Sequence, residues 1–156
     1  MSVASAPPVI FLDVDGVLNR VDDPGDERVD ATMLLRVRQL ADSAGAVVVI
    51  SSDWRTQPDA KAHIERRLAA LDVTVIGATP LARTRALARP AEIFQWLSTH
   101  PDEHNGRYVV LDDRDLTRET RGAELAAARR FVRTDPNVGF TDENLAEAIG
   151  VLRRVD

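Results

Sequence analysis

Five short apolar runs alternate with segments of helical periodicity, and this alternation restricts the fold more than any other feature of the chain. The runs are VIFLDV (9–14), AVVVIS (46–51), VTVI (73–76), YVVLD (108–112) and FVR (131–133). Three of them are nearly continuous Val, Ile and Leu, as expected for strands that helices cover on both faces. The alternation predicts a doubly wound, Rossmann-like α/β domain around a parallel five-stranded sheet.

The segments between the runs have apolar residues on one stripe and recognisable helix ends. Helices are predicted over 31–44, 60–71, 90–99, 121–130 and 142–153. Asp30 and Thr141 are expected to cap the first and last helices, Gly45 to end the first, and Pro90 to open the third. We find no linker and no long repeat, which predicts a single domain over residues 1–156.

The composition of the chain predicts the cellular compartment of the protein. The chain contains no cysteine, so it has no disulfide framework, which fits a reducing compartment. The first residues lack the basic and apolar regions of a signal peptide, and the longest apolar run, 44–50, is too short to span a bilayer. We therefore expect a soluble, cytoplasmic protein with no membrane partner.

Charge is distributed unevenly along this acidic chain, whose net charge is −5. Seven basic residues against three acidic ones fall within 55–89, namely Arg55, Lys61, Arg66, Arg67, Arg83, Arg85 and Arg89. This basic segment has two interpretations. It is either a solvated helix face or a contact surface for an anionic substrate.

Polar residues follow the predicted strands where the strands end. They are Asp13 and Asp15 after the first run, Ser51 and Ser52 after the second, and Asp112 and Asp113 after the fourth. Arg89 directly precedes Pro90 at a helix start, which lies at the same edge because a crossover helix runs antiparallel to the strands. Ligands bind at the carboxyl edge of such sheets, so these residues are candidates for one site.

Clustered carboxylates need a compensating feature. Two like charges about 4 Å apart repel by about 4 kcal/mol at an effective dielectric constant near 20. Either the pKa values of the carboxyl groups rise or a cation lies among them. An all-oxygen set without His or Cys favours a hard ion, most naturally Mg²⁺, which also binds substrate phosphate.

The ordered set D-x-D-G, then Ser, then R-P, then D-D resembles the four motifs of the haloacid dehalogenase (HAD) superfamily of phosphohydrolases. The resemblance covers almost the whole chain. The finer pattern of DGVLN, SSDWR, RPAEIFQWL, LDD and GFTD is similar to the small HAD domains of RNA-repair proteins. It is distantly similar to the phosphatase domains of polynucleotide kinase-phosphatases.

The resemblance implies roles for the catalytic residues. Asp13 would be the nucleophile that forms an aspartyl-phosphate, and Asp15 the general acid and base. Ser51 would bond a phosphoryl oxygen, and Arg89 would offset charge on the phosphoryl group. Arg85 is the alternative to Arg89 for the third motif.

The resemblance also implies a Mg²⁺ site. Asp112 would bind the ion together with Asp13 and the backbone carbonyl of Asp15, and Asp113 would bind it directly or through water. Ser52 is the alternative to Ser51 in the second motif.

Three further residues near these motifs have open interpretations. Trp54 is either a core residue or a surface on which a base stacks. Asn19 and Arg20 are expected in a loop, which either lies over the site or is simply a solvated loop without a role.

The expected size of the substrate follows from the lengths of the segments between the motifs. HAD enzymes for small metabolites usually carry a cap domain between the first and second or the second and third motifs, and neither interval here has room for a large one. The expected substrate is therefore a phosphorylated RNA or DNA end, with a small nucleotide or sugar phosphate as the alternative. A non-catalytic HAD-fold binding module is a further alternative. A receiver domain does not fit, because the third run, VTVIGATP, has no acceptor aspartate and Lys61 is the only lysine.

Overall fold

A computed structural model of the protein describes residues 5–24, 28–80 and 88–155. Its strands are β1 (Val9–Leu12), β2 (Val47–Ile50), β3 (Val75–Ala78), β4 (Tyr108–Asp112) and β5 (Phe131–Arg133). Its helices are α1 (Ala31–Ala44), α2 (Pro58–Ala69), α3 (Arg89–Thr99), α4 (Gly122–Ala128) and α5 (Asp142–Arg153). Short 3₁₀ turns occur at Asp53–Thr56 and Leu116–Arg118.

The five strands form one parallel sheet, as the sequence predicts, and the structure shows their order to be β3-β2-β1-β4-β5. Leu12 at the end of β1 lies beside Ile50 of β2 and Leu111 of β4. The chain builds the sheet outward from β1 to β3 and then returns to place β4 on the other side of β1. The crevice between β1 and β4 at the carboxyl edge is therefore the switch point at which such sheets bind ligands.

Helices cover both faces of the sheet, because successive strand residues point to opposite sides. Ile10 and Leu12 pack with α1, α2 and α5, and Phe11 packs with α3 and α4. Phe11 meets Trp96 of α3 edge to face, with 5.6 Å between ring centroids. Both faces are thus apolar and buried, and the predicted doubly wound architecture is confirmed.

The predicted helix ends are formed by side-chain and backbone caps. Asp30 accepts a hydrogen bond from the backbone N–H of Met33, and Gly45 ends α1 in the left-handed conformation with φ 62°. Thr141 accepts from the backbone N–H of Asn144 at the start of α5. These caps fix where the two helices that pack against each other begin.

The first strand is shorter than the predicted 9–14 and stops at Leu12. The carbonyl of Val14 accepts hydrogen bonds from the N–H groups of Val17 and Leu18, at 3.1 and 2.8 Å. The chain therefore leaves the sheet and turns at the residues that follow β1.

The third strand lies two residues later than the predicted 73–76, at Val75–Ala78. The N–H of Val73 bonds to the carbonyl of Leu68, 3.0 Å away, so Val73 belongs to the turn that ends α2. The helix α2 itself begins and ends two residues earlier than the predicted 60–71.

The connections between motifs are short, and the described residues form no large cap domain over the sheet. Among these residues, no helix has the length and apolar character needed to cross a membrane.

Candidate active site

Four of the predicted site residues meet at the carboxyl edge of the central strands. Asp13 follows β1, Ser51 follows β2 and Asp112 ends β4, and these three strands are neighbours. Arg89 opens α3, and its Nη1 lies 3.3 Å from Asp13 Oδ1 and 2.7 Å from Asp112 Oδ2. Arg85, the alternative to Arg89, lies outside the described residues.

Three carboxylates lie close enough together to share a cation. One oxygen each from Asp13, Asp112 and Asp113 falls within 4.8 Å of the others. Asp13 is 4% exposed and Asp112 is fully buried. Three carboxylate oxygens are suitable ligands for Mg²⁺, which completes its coordination shell with water. The residues present therefore fit the ion that the sequence predicts.

The carboxylate cluster is electrostatically unfavourable without a cation. Burial raises the pKa of Asp13 well above its ordinary value, and the neighbouring Asp112 raises it further, against the opposing effect of Arg89. Burial also raises the pKa of Asp113. Burial lowers the pKa of Arg89, but the charges of Asp112 and Asp13 outweigh burial and leave it above the ordinary value. One guanidinium does not balance three carboxylates, so a divalent cation would relieve the remaining repulsion.

Replacing Asp113 by asparagine is expected to stabilise the metal-free protein at neutral pH. Because the pKa of Asp113 is higher in the folded protein than its ordinary value of 3.8, the folded state binds this proton more tightly than the unfolded chain. Stability therefore falls as the pH rises from 3.8 through the folded pKa, and the variant escapes this loss. The thermal midpoint in EDTA should exceed that of the unsubstituted protein at pH 7, and the difference should vanish on acidification.

The matched control for this prediction is Asp115→Asn. Asp115 is a neighbouring carboxylate whose pKa is lowered, chiefly by its hydrogen bond with Thr117, so its removal should not stabilise the protein. Addition of Mg²⁺ should raise the midpoint of the unsubstituted protein more than that of Asp113→Asn, because a ligand stabilises the state that binds it. A lower midpoint for Asp113→Asn in EDTA at pH 7 would contradict the prediction.

The carboxylate of Asp15 does not belong to the metal cluster. Its Oδ2 accepts a hydrogen bond from Nε1 of Trp54, and its Oδ1 accepts one from Nδ2 of Asn19, both at 3.0 Å. The residue is exposed and lines the same pocket as Asp13. Two donors thus hold the Asp15 side chain beside the cluster, and its predicted part in metal binding involves only the backbone carbonyl.

Trp54 is a core residue and not an exposed surface for stacking. It is 4% exposed and belongs to the core cluster that also contains residues of α1, α2 and α5. The guanidinium carbon of Arg28 lies 4.4 Å from the centroid of its ring. Of the two interpretations, core packing is therefore correct, and the indole also orients Asp15, a contact that the sequence did not reveal.

Replacing Trp54 by phenylalanine is expected to lower kcat about tenfold with little change in KM. The variant keeps an aromatic ring in the core but removes the N–H that orients Asp15, and a hydrogen bond to a charged group is worth about 1.5–3 kcal/mol. The matched control is Trp96→Phe, which makes the same truncation in the core on the opposite face. Steady-state kinetics should show a loss for Trp54→Phe alone; equal losses would mean that the effect is only one of packing.

Two buried polar residues organise the turn after β1. The Oδ1 of Asn19 accepts from the N–H of Gly16 at 2.8 Å, and its Nδ2 donates to Asp15 and to the carbonyl of Arg28. Thr134 Oγ1 donates to the carbonyl of Gly16 at 2.8 Å. Asn19 thus lies in a loop beside the site, as the sequence predicts, but at 2% exposed it is buried and not part of a solvated loop. The side chains of Asn commonly bond backbone groups in tight turns, which was the available signal.

Glycine is required at position 16 for two reasons. Gly16 has φ 80°, a left-handed conformation that other residues adopt at a cost. A Cβ at this position would lie 2.7 Å from Cγ of Asp113 and 2.8 Å from its Cβ. The turn and the carboxylate cluster can therefore approach each other only because residue 16 has no side chain.

The two serines after β2 differ in how their hydroxyls are used. Ser52 lines the pocket, and its Oγ accepts from the N–H of Trp54 at 3.2 Å. The Oγ of Ser51 is buried and has no hydrogen-bond partner among the described residues. A buried hydroxyl without a partner is uncommon in proteins, and a bound oxygen would satisfy it. This unused donor favours Ser51 over Ser52 as a ligand-binding residue.

A buried ion pair joins the second and third motifs. Nη2 of Arg55 lies 2.7 Å from Oε2 of Glu92, and the two side chains are 4% and 9% exposed. Nη1 of Arg55 also donates to the carbonyl of Ser52. The Arg of SSDWR and the Glu of RPAE therefore hold the end of β2 against the first turn of α3, which carries Arg89.

The basic segment 55–89 does not form one surface beside the site, as far as it is described. Arg55 and Arg89 are buried in ion pairs, and Lys61 faces Glu65 at 3.8 Å. Arg66 and Arg67 lie in the last turn of α2 and hence at the opposite edge of the sheet. Arg83 and Arg85 lie outside the described residues. Of the described basic residues of this segment, Arg89 alone lines the pocket above the carboxylate cluster, where Arg114 joins it from outside the segment.

The pocket above the cluster is small and polar. It has a volume of about 160 Å³. Its lining residues are Asp13, Asp15, Ser52, Asp53, Arg89, Asp113 and Arg114. Sites for larger organic ligands span about 300–1,000 Å³. This pocket therefore suits a phosphate-sized group and not a whole nucleotide.

The site combines an acidic cluster at the switch point of the sheet with a buried arginine. Along the chain its motifs come in the order D-x-D-G, Ser, R-P and D-D, which is that of a HAD-type phosphohydrolase domain. The family model for the HAD domain in Swiss Army Knife RNA repair proteins matches residues 9–145. The chain therefore belongs to this family, and its resemblance to the small HAD domains of RNA-repair proteins is confirmed. No curated protein and no solved structure matches the chain significantly.

Proposed function

We propose that the protein is a Mg²⁺-dependent phosphomonoesterase that forms an aspartyl-phosphate on Asp13 and acts on a phosphorylated RNA or DNA end. The observation that carries this proposal is the buried Asp13 carboxylate, which lies within 4.8 Å of Asp112 and Asp113 and contacts Arg89. The membership in a family of RNA-repair HAD domains supports the choice of substrate.

The chemistry divides between Asp13 and Asp15. A carboxylate oxygen of Asp13 attacks phosphorus, the ester P–O bond breaks, and Asp15 gives its proton to the leaving oxygen. Asp15 then takes a proton from water as the water attacks the aspartyl-phosphate. This second step releases inorganic phosphate and regenerates both carboxyl groups. The two hydrogen bonds that hold Asp15 support its role, because an acid and base must be positioned before it transfers a proton.

The remaining groups of the site act through charge and hydrogen bonds. Mg²⁺ held by Asp13, Asp112, Asp113 and the Asp15 carbonyl would supply positive charge beside the phosphoryl oxygens. Arg89 keeps a buried Nε without a hydrogen-bond partner among the described residues, as does the Oγ of Ser51. These two unused donors support a role in binding the phosphoryl group, where preorganised donors contribute most.

The surroundings of the pocket support a substrate larger than a metabolite. Asp15, Asp53 and Arg114 are exposed around it, so a polymer end can reach the phosphate pocket. The described residues provide no large cap that would enclose a small ester.

The test is a panel of phosphate esters assayed with Mg²⁺ and with EDTA. We expect 5′- or 3′-phosphorylated oligonucleotides to be hydrolysed with a higher kcat/KM than mononucleotides and sugar phosphates, and EDTA to abolish all turnover. Hydrolysis of a small metabolite above about 10⁵ M⁻¹s⁻¹, with oligonucleotide ends ignored, would identify a small-molecule phosphatase instead. Absence of any turnover with Mg²⁺ would identify a non-catalytic binding module.

A further inference from the structure

A second cavity adjoins the phosphate pocket and shares Asp15 with it. Its volume is about 390 Å³, more than twice that of the phosphate pocket. Its lining residues are Asp15, Asn19, Val21, Pro24, Arg28 and Trp54. The volume falls within the range of sites for small organic ligands, so this cavity has room for the part of a substrate that the phosphate pocket excludes.

Among the described residues that line the two cavities, Arg28 is the basic residue without an ion-pair partner. Arg89 and Arg114, the other basic residues that line them, are paired with Asp112 and Glu119 at 2.7 and 2.9 Å. No carboxylate of the described residues lies within ion-pair distance of Arg28, whose side chain is exposed and stacked over Trp54. Within the part of the chain that the structure describes, this charge has no counterion, so an anionic ligand in either cavity would be attracted to it.

Arg28 and Asp15 are positioned by the same two side chains. Nδ2 of Asn19 donates to the carbonyl of Arg28 at 2.9 Å and to Asp15 at 3.0 Å. The indole of Trp54 donates to Asp15 and lies beneath the Arg28 guanidinium. Arg28 also has φ 66°, an uncommon conformation for a residue other than glycine. The arginine is therefore held at a fixed place relative to the candidate acid.

We propose that this cavity binds the terminal nucleoside of the substrate and that Arg28 binds the first phosphodiester after it. The inference rests on the proposed function, in which Asp15 protonates the leaving oxygen. The group bonded to that oxygen must then lie on the Asp15 side of the phosphate pocket, which is where the cavity lies. The ligand chemistry is a phosphate monoester followed, one nucleoside away, by an anionic phosphodiester.

The test measures affinity for two dinucleotides that differ in one charge. In each dinucleotide, the two nucleosides are joined by either a phosphodiester or a neutral methylphosphonate. One series of ligands carries a terminal phosphate at the 5′ end, and the other series carries it at the 3′ end. Dissociation constants are measured with Mg²⁺ in the Asp13→Asn background, so that the ligand survives. We expect the phosphodiester to bind about tenfold more tightly in at least one series, as for a charge-assisted contact.

Variants of Arg28 test whether this residue causes the preference for the charged phosphodiester. Arg28→Ala should abolish the preference for the phosphodiester, while Arg28→Lys should keep part of it because the charge remains. Arg20→Ala is the control, since Arg20 is exposed in the same loop and does not line the cavity. In Arg28→Ala, the negative slope of log affinity against log salt concentration should become shallower by about 0.7, as expected for one lost phosphate contact.

Two results would overturn the inference. One is equal affinity for the two ligands when Arg28 is present. The other is a loss of affinity for both ligands in Arg28→Ala with the preference intact, which would mean that Arg28 only supports Trp54. Hydrolysis of p-nitrophenyl phosphate and of the phosphorylated dinucleotides by the protein with Asp13 is measured in parallel. Absence of turnover with all of them would refute the proposed function, whereas the affinity ratio decides the Arg28 site in either case.

Discussion

Replacing Asp13 by asparagine is expected to lower phosphatase turnover by about 10⁴-fold or more, because the amide has nearly the shape of the carboxylate but cannot attack phosphorus. Asp13 is 4% exposed at the end of the central strand, so the packing around the substitution should change little. Burial and Asp112 raise the pKa of Asp13, so removing its charge should also not destabilise the metal-free fold. Turnover of p-nitrophenyl phosphate and of a phosphorylated oligonucleotide is the measurement.

Asp53→Asn is the matched control for the nucleophile. The Asp53 carboxylate lines the same pocket and lies 3.4 Å from Nη2 of Arg89, but its side chain is 83% exposed. Its replacement should change turnover by no more than a few-fold, as for most exposed ion pairs. If Asp13→Asn kept a tenth or more of the activity, Asp13 would not be the nucleophile.

Replacing Arg89 by alanine is expected to lower kcat/KM by about 10²-fold or more, the usual cost of removing a preorganised donor from a reacting group. The guanidinium is 4% exposed and bridges Asp13 and Asp112. Its loss also leaves buried carboxylates without their partner, a change that typically costs about 3–5 kcal/mol of folding stability. Kinetics should therefore be measured with saturating Mg²⁺ and well below the thermal midpoint of the variant.

Two further variants test which arginine belongs to the third motif and whether its positive charge alone is sufficient. Arg85→Ala tests the alternative third-motif residue and should cost much less than Arg89→Ala. Arg89→Lys retains a cation but not the planar fork, so it should recover part of the activity. A larger loss from Arg85→Ala than from Arg89→Ala would mean that the third motif was placed wrongly.

The architecture could be predicted from the sequence because it depends on strong, local patterns. Continuous Val and Ile runs, helical stripes and caps such as Asp30 gave the order and direction of every described strand and helix. The third strand was placed two residues too early because VTVI has a higher β propensity than the Gly77 and Ala78 that actually complete the edge strand. Local propensity could not show that Val73 is held by the turn that ends α2.

The site could be predicted only as far as the sheet edge determines it. Two strand ends place Asp13 and Asp112 together, since parallel strands share one carboxyl edge, and the start of α3 brings Arg89 to the same edge. The partners of Asp15 were missed because they depend on loop geometry. The indole of Trp54 reaches it from a 3₁₀ turn after β2, and the amide of Asn19 from inside the turn after β1. No periodicity in the sequence specifies such contacts.

The pairing of β1 with β4 determines when the candidate site can form during synthesis. Leu12 lies beside Leu111, so the carboxylates after these residues meet only after β4 has left the ribosome. Until then β1 can pair with β2 but has an open edge, and Asp13 has neither Asp112 nor Asp113 beside it. Contacts between distant parts of a chain form late, because closing the long intervening loop costs entropy. We therefore expect a nascent chain that stops before β4 to lack the carboxylate cluster, and the proposed metal binding and catalysis to be acquired together when β4 docks.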